Sequence, residues 1–158
     1  MSIQNPAPPL PPRWFIRSAW AGHKLLYRVT RLGLTRPVDG RKAGILRLRT
    51  VGRRTGEPRA VMICYFLDHP DGADRPDLVT LAMNGWAPSH PAWWLNLRAN
   101  PEVEVDTVDG IARVRGREAT GAERDRLLAR FDDHSGWGEV RRYVAARPHT
   151  PVVVLSPR

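Results

Sequence analysis

Ile45-Leu46-Arg47-Leu48-Arg49-Thr50 leads into Val51-Gly52-Arg53-Arg54-Thr55-Gly56-Glu57-Pro58-Arg59, and that into Ala60-Val61-Met62-Ile63-Cys64-Tyr65-Phe66-Leu67. The first segment alternates, which marks a strand with Leu46 and Leu48 on one face. The last is almost unbroken apolar sequence, the pattern of a strand buried on both faces. Between them lies a basic turn bracketed by glycines, and it has two readings. Gly52 and Gly56 free the backbone to present N–H groups, Thr55 adds a hydroxyl, and Arg53, Arg54 and Arg59 can clamp phosphate oxygens through charge-assisted bonds. The same residues also suit a plain hairpin with exposed arginines. A nucleotide P-loop is excluded, because its Gly-Lys-Ser/Thr ending is missing and no helix follows.

Working outward, Asp77 to Met83 reads as the next strand, and Asn84-Gly85 after it as a tight turn with Trp86 beyond. Pro91 to Ala99 reads as a short helix with proline in its permitted first turn, ended by Asn100-Pro101. Trp93 and Trp94 point to two sides of that helix, so one indole is expected in the core and the other is free to face a pocket. Glu102–Asp106 and Ile111–Arg115 alternate strictly around Asp109-Gly110, a hairpin signal. Thr120 and Glu123 stand at capping-box spacing before a helix running to about Phe131. A second helical piece spans about Glu139 to Arg147, and Pro151–Leu155 closes the chain as a strand. Six strands joined mostly by turns, with helices inserted and at the ends, suggest a small closed or partly closed barrel.

The chain's 158 residues suit one domain, with 42% apolar and 26% charged residues as in ordinary globular chains. The net charge of +9 is concentrated. Residues 1–59 carry thirteen Lys and Arg against Asp39 and Glu57, whereas residues 60–158 are slightly acidic. The partners this favours are a polyanionic ligand, an acidic membrane surface or nucleic acid. Residues 1–12 hold five prolines and read as a flexible leader. From Arg13 to Gly33 the period is helical, with Arg13, Arg17, Lys24, Arg28 and Arg31 on one stripe and Phe15, Ala19, Leu26 and Val29 opposite. That segment either covers a core with its basic face in water or lies on an anionic membrane. Residues 34–158 are then the barrel. No spanning helix and no secretory signal is expected. Cys64, the single cysteine, reads as a reduced strand residue, which points to the cytoplasm.

Several chemistries have no signature. The five histidines lack metal-ligand spacing, Asp132-Asp133-His134 reads as a solvated loop, and no metal is expected. There is no Gly-x-Ser-x-Gly elbow, no dinucleotide fingerprint and no nucleic-acid module, so nucleic acid is not expected as a partner. An enzyme built this way borrows its chemistry from a cofactor.

Three motifs in order, Thr50-x-Gly-Arg-Arg-Thr-Gly-x-Pro-Arg59, Leu78-Val-Thr-Leu-Ala-Met-Asn-Gly-Trp86 and Pro91-Ala-Trp-Trp-Leu-Asn-Leu-Arg-Ala-Asn-Pro101, resemble the deazaflavin-dependent nitroreductase family. These are the coenzyme F-420-dependent oxidoreductases of actinobacteria and relatives, and the similarity extends from about residue 44 to 131. The resemblance implies a split β-barrel of the flavin-reductase and pyridoxamine-oxidase kind, mainly β with flanking helices. It also implies hydride transfer from reduced deazaflavin to a small hydrophobic acceptor such as a quinone, an activated alkene or a nitroaromatic. By motif, Arg53, Arg54, Thr55 and Arg59 would bind the cofactor's phospholactate and glutamate tail, and Met62, Ile63, Cys64 and Tyr65 would run beside the ring. Ala82, Met83, Asn84 and Gly85 would cradle the phosphate or ring edge, and Ala92, Trp93, Trp94 and Asn96 would complete the pocket. Trp86, Trp137 and Tyr143 are the substrate-side candidates, and Tyr65 and Tyr143 the candidate proton donors. Some members carry an N-terminal helix thought to associate with membrane, so residues 13–33 are a candidate contact with the inner face of the plasma membrane. The protein is expected to be a monomer or weak homo-oligomer. The alternatives are a split barrel holding flavin mononucleotide or haem, and a non-enzymatic basic protein binding membrane or nucleic acid.

Overall fold

The computed structural model describes residues 35–84, 89–134, 137, 144 and 149–158. The leader, the 13–33 segment, the Gly85–Trp86 end of the Asn-Gly turn and nearly all of the 139–147 piece lie outside the described residues. Six strands form one closed antiparallel barrel: β1 (Gly44–Val51), β2 (Pro58–Asp68), β3 (Asp77–Leu81), β4 (Glu102–Thr107), β5 (Gly110–Glu118) and β6 (Val152–Pro157). Round the barrel the order is β1-β2-β3-β6-β5-β4, and β4 returns to β1 to close it. Helix α1 (Ala92–Ala99) joins β3 to β4, and helix α2 (Gly121–Arg130) follows β5, continuing into a 3-10 turn at Phe131–Asp133.

β2 changes neighbour partway along its length. Pro58 to Tyr65 pair with β1, whereas only Phe66 to Asp68 pair with β3. Its first half therefore has a partner on one side only among the described residues. The sequence expectation that β2 is buried on both faces fails here: Pro58 to Ala60 are exposed and Val61 to Cys64 half-buried. Double-sided burial belongs instead to β3 and β6. Leu78, Val153 and Leu155 face the barrel interior with Leu46, Leu48, Val105 and Val114. Val79, Val152 and Val154 face outward under Leu127 of α2 and Phe131. Only the last residues of β2, with Phe66, reach beneath that second layer.

Helix α1 seats on the inner core through Trp94 and Leu97, both almost fully buried. Each apolar side chain so placed contributes about 1.5–3 kcal/mol. Gly116 on β5 makes room for it, because a Cβ there would stand 2.6 Å from Leu97 Cδ2. Gly44 plays the same part for Tyr65, whose ring would meet a Cβ at 2.5 Å.

Helix α2 is held by charge as well as by Leu127. Arg126 grips Asp68 with both terminal nitrogens at 2.8 Å, and Arg130 adds a 2.5 Å bond to Asp68 Oδ1 and a 3.0 Å bond to the Leu67 carbonyl. The Arg130 guanidinium also lies over the Phe66 ring, 4.8 Å from its centroid. The expected capping box does not form. Thr120 occupies the N-cap but makes no side-chain bond. Glu123 is instead taken by Arg117 of β5 through two 2.6 Å bonds, since a charge-assisted fork outcompetes a neutral backbone amide.

The hydrogen bonds from Arg126, reinforced by both nearby guanidinium charges, hold the Asp68 carboxyl below its usual range against the opposing effect of burial. A depressed carboxylate stabilises the fold above its unfolded pKa, and that contribution is lost as pH falls through the folded value. Asp68→Asn should therefore destabilise the protein by about 1–2 kcal/mol at neutral pH, since it leaves two partly exposed arginines without the buried carboxylate they share. Denaturant melts should show the gap to wild type closing as pH drops from about 5 toward 2.

Candidate cofactor site

The glycine-bracketed turn spends its amides on itself. Gly52 N–H donates to the Glu57 carbonyl at 2.8 Å, and the Gly52 carbonyl accepts from Thr55 N at 3.2 Å and Gly56 N at 2.7 Å. Glu57 N donates to Thr55 Oγ1 at 3.3 Å, and Arg53 N to Asn96 Oδ1 at 3.2 Å. Of these turn amides, Arg54 N–H alone has no partner among the described residues. The turn is thus not the cradle of N–H groups that the glycines suggested, and recognition of an anion falls to the side chains. Gly56 takes φ 69°, which glycine adopts without strain. Gly52 is required for space: a Cβ there would lie 2.9 Å from Thr55 Oγ1 and 3.3 Å from the Glu57 carbonyl, with Arg59 Nε at 3.8 Å.

Those side chains are unevenly paired. On β1, Arg49 binds Asp106 at 2.9 Å and approaches Glu104 at 3.7 Å, and Arg47 reaches Asp106 at 3.4 Å. Arg115, Arg117, Arg126 and Arg130 likewise face carboxylates. Arg53, Arg54 and Arg59 have no acidic partner among the described residues. The local excess of positive charge therefore survives folding at the turn and is neutralised along β1.

Helix α1 brings the third motif to this turn. Asn96 is 6% exposed, and its Oδ1 accepts from both Arg53 N and Arg53 Nη1, the latter at 3.4 Å. Two stretches forty-three residues apart are thereby joined. The two indoles divide as the helix periodicity predicts: Trp94 is core at 2% exposed, whereas Trp93 is only partly buried against the same cluster. Their rings meet edge to face at 6.4 Å. Val61 and Ile63 also pack against that cluster, so they lie on the inward face of β2. Met62 and Cys64 point to the opposite face, as strand alternation requires.

The candidate list of Met62, Ile63, Cys64 and Tyr65 therefore divides between two faces, and Val61 belongs with Ile63. The register of β1 against β2, Leu48 opposite Val61 and Leu46 opposite Ile63, is the signal that distinguishes them. Thr50, opposite Arg59, opens the first motif but was assigned no role by it; its hydroxyl is buried with no hydrogen-bond partner among the described residues. Its place as the next inward position after Leu46 and Leu48 was there to be read.

Tyr65 stands in the barrel core at 5% exposed. Burial first, and the Asp109 carboxylate second, push its hydroxyl pKa up, which makes it a poorer acid at neutral pH. Burial likewise raises the Cys64 thiol, with Arg36 opposing, so Cys64 is not an activated nucleophile. Ala82 is buried, its N–H bonded to the Pro151 carbonyl at 2.9 Å, and Met83 packs against the second core. Asn84 donates from Nδ2 to Ser89 Oγ at 3.4 Å. Ala92, the first residue of α1, is exposed. Trp137 belongs to the second core, with its ring 4.9 Å from Phe131 and 6.2 Å from Phe66. Tyr143 and Trp86 lie outside the described residues. Among the described residues no group of His, Cys, Asp and Glu has the geometry of a metal site, and no helix is long and apolar enough to cross a membrane.

The arrangement joins a patch of uncompensated arginines to a half-buried aromatic and aliphatic margin, a combination suited to a ligand with an anionic tail and a flat ring. Comparison with known proteins agrees in kind. The profile of the F420H(2)-dependent quinone reductase family matches residues 23–157. The chain belongs to this quinone reductase family. It is 31% identical over 84 residues to an F420H(2)-dependent quinone reductase of Mycobacterium tuberculosis, and equally to a putative one of Mycobacterium bovis. Those aligned residues are 53% of this chain and 52% of each relative, so the match spans about half the length of these curated relatives. Among solved structures, an F420-H2 dependent reductase superposes with TM-score 0.56 at 26% identity, covering 71% of this chain and 93% of that one. A structure described as a domain-swapped dimer shares the fold with TM-score 0.59 at 23% identity, covering 89% and 99%.

The turn's geometry is testable without any ligand. Gly52→Val forces its side chain against Thr55 and the Glu57 carbonyl, so it should cost about 1–3 kcal/mol. Thermal melts should show a midpoint several degrees lower, and an unchanged midpoint would mean that the turn is looser than its hydrogen bonds indicate.

Proposed function

We propose that the protein is a deazaflavin-dependent oxidoreductase that passes a hydride from reduced coenzyme F-420 to a small hydrophobic acceptor, a quinone first among them. The observation that carries this reading is the family match over residues 23–157, combined with three arginines left uncompensated where the family's tail-binding motif lies. The residues present fit the cofactor. Arg53, Arg54 and Arg59 suit a phosphate and carboxylate tail, because guanidinium groups bind such oxygens in pairs. Trp93, Val61 and Ile63 offer partly buried apolar surface suited to a planar ring.

When bound, reduced deazaflavin supplies the hydride from the central carbon of its ring. The chain's own contribution is to bind, orient and exclude water. The arginine turn anchors the tail, so that binding energy far from the reacting carbon holds the ring in place. The partly buried apolar residues of α1 and β2 would hold water away from the face of a ring bound against them. The buried place of Tyr65 and its raised pKa favour a packing role for this residue, which leaves Tyr143 or solvent to supply the accompanying proton.

The test is turnover of reduced F-420 with menadione by wild type and by the Arg53→Ala/Arg54→Ala double variant, followed by the return of oxidised-deazaflavin absorbance. Wild type should turn over, and the double variant should show a KM for the cofactor at least tenfold higher, corresponding to about 1.4 kcal/mol or more of lost binding. Tight binding of flavin mononucleotide with no binding of F-420 would overturn the reading.

A further inference from the structure

Asn96 is a buried polar side chain whose carbonyl oxygen is shared by two donors of one arginine, Arg53 N at 3.2 Å and Arg53 Nη1 at 3.4 Å. Both Arg53 groups are donors, so the acceptor end of the amide has to face them. No backbone hydrogen bond joins the turn to α1 among the described residues, which makes this side chain the polar tie between them.

The choice of an amide is informative against the rest of the barrel. Several arginines are held by carboxylates, Arg47 and Arg49 by Asp106, Arg117 by Glu123, and Arg126 and Arg130 by Asp68, while Arg36, Arg41 and Arg75 bond backbone carbonyls. A carboxylate at position 96 would make the same two bonds, and charge-assisted bonds are roughly twice as strong as neutral ones. It would also offset the charge of Arg53 at short range, although the arginine itself stands on an exposed turn where water screens part of the effect. An asparagine fixes the guanidinium and leaves its charge in force.

We propose that Asn96 is a positioning residue: its neutral carbonyl locks Arg53 to α1 while keeping that arginine's positive charge uncompensated for the anionic tail of the ligand. The proposal rests on the deazaflavin reading for the identity of the ligand, but the charge argument holds for any phosphate-bearing anion at the turn. It predicts that Asn96 governs affinity for the tail and has no effect on affinity for the ring.

The experiment compares wild type, Asn96→Asp and the near-isosteric Asn96→Leu. Each is titrated with F-420, with its tail-free deazaflavin riboside and with inorganic pyrophosphate, at low and high salt, and each is melted thermally. Asn96→Asp should melt no lower than wild type, bind F-420 and pyrophosphate at least tenfold more weakly, and bind the tail-free riboside unchanged. The deficit should shrink at high salt, where charge interactions are screened. Asn96→Leu should melt lower and weaken F-420, and in an Arg53→Gln background it should add little further loss, because its effect passes through Arg53. An Asn96→Asp variant that holds F-420 and pyrophosphate as tightly as wild type would overturn the proposal. So would equal losses for F-420 and its tail-free form, which would make Asn96 a ring contact. Should Asn96→Asp fail to fold, full additivity of Asn96→Leu with Arg53→Gln overturns it instead. Wild type that binds pyrophosphate but neither deazaflavin would refute the assigned cofactor, and the pyrophosphate arm would still decide the role of Asn96.

Discussion

The contact between Leu97 and Gly116 is the constraint on which the site depends. Leu97 lies where any Cβ on β5 would stand, so α1 sits against the barrel wall as closely as backbone allows. One residue earlier on the same helix, Asn96 meets Arg53. Four residues before Leu97, Trp93 packs at the margin of the inner core, as Val61 and Ile63 of β2 also do. The seat of one short helix therefore sets the polar tie, the aromatic surface and the position of the arginine turn together. A helix displaced by a fraction of a side chain would lose all three, because packed interiors do not deform continuously.

Electrostatics sets the arginines that fasten the fold apart from those of the turn. Asp68 draws Arg126 and Arg130 onto the end of β2 and fastens α2 over the second core. Asp106 does the same for Arg47 and Arg49 on the barrel's flank. At the turn, by contrast, Arg53, Arg54 and Arg59 meet no carboxylate among the described residues. A surplus of like charge costs stability, and a binding site for a polyanion is the ordinary reason to carry it.

Much of this was legible in the chain. Alternation in residues 45–50, 102–106 and 111–115 located three strands, the turn signals located the hairpins, and the three motifs identified the family before any geometry was known. What stayed hidden depends on partners distant in sequence. The apolar run of β2 reads as a doubly buried strand, yet its first half is half-exposed because β3 pairs with its last three residues only. Thr120 and Glu123 have capping-box spacing, yet Arg117 claims the glutamate. The glycines of the turn promise free amides, most of which go to the turn itself and one to Asn96. Asn96 was legible as a site residue by motif, but its bond to Arg53 is a tertiary event that no local pattern reports. Trp137, read as a pocket aromatic, packs with Phe66 and Phe131 because the second core lies where α2 crosses β3 and β6.

The central claim is that the uncompensated arginines of the 52–59 turn and the α1 margin form a single cofactor-binding mouth. A crystal structure of the protein with F-420 bound tests it most directly. The account predicts the tail phosphate within hydrogen-bond distance of the Arg53 or Arg59 guanidinium, with the deazaflavin ring against Trp93 and Ile63. A tail bound elsewhere on the barrel, with those arginines facing solvent, would contradict it.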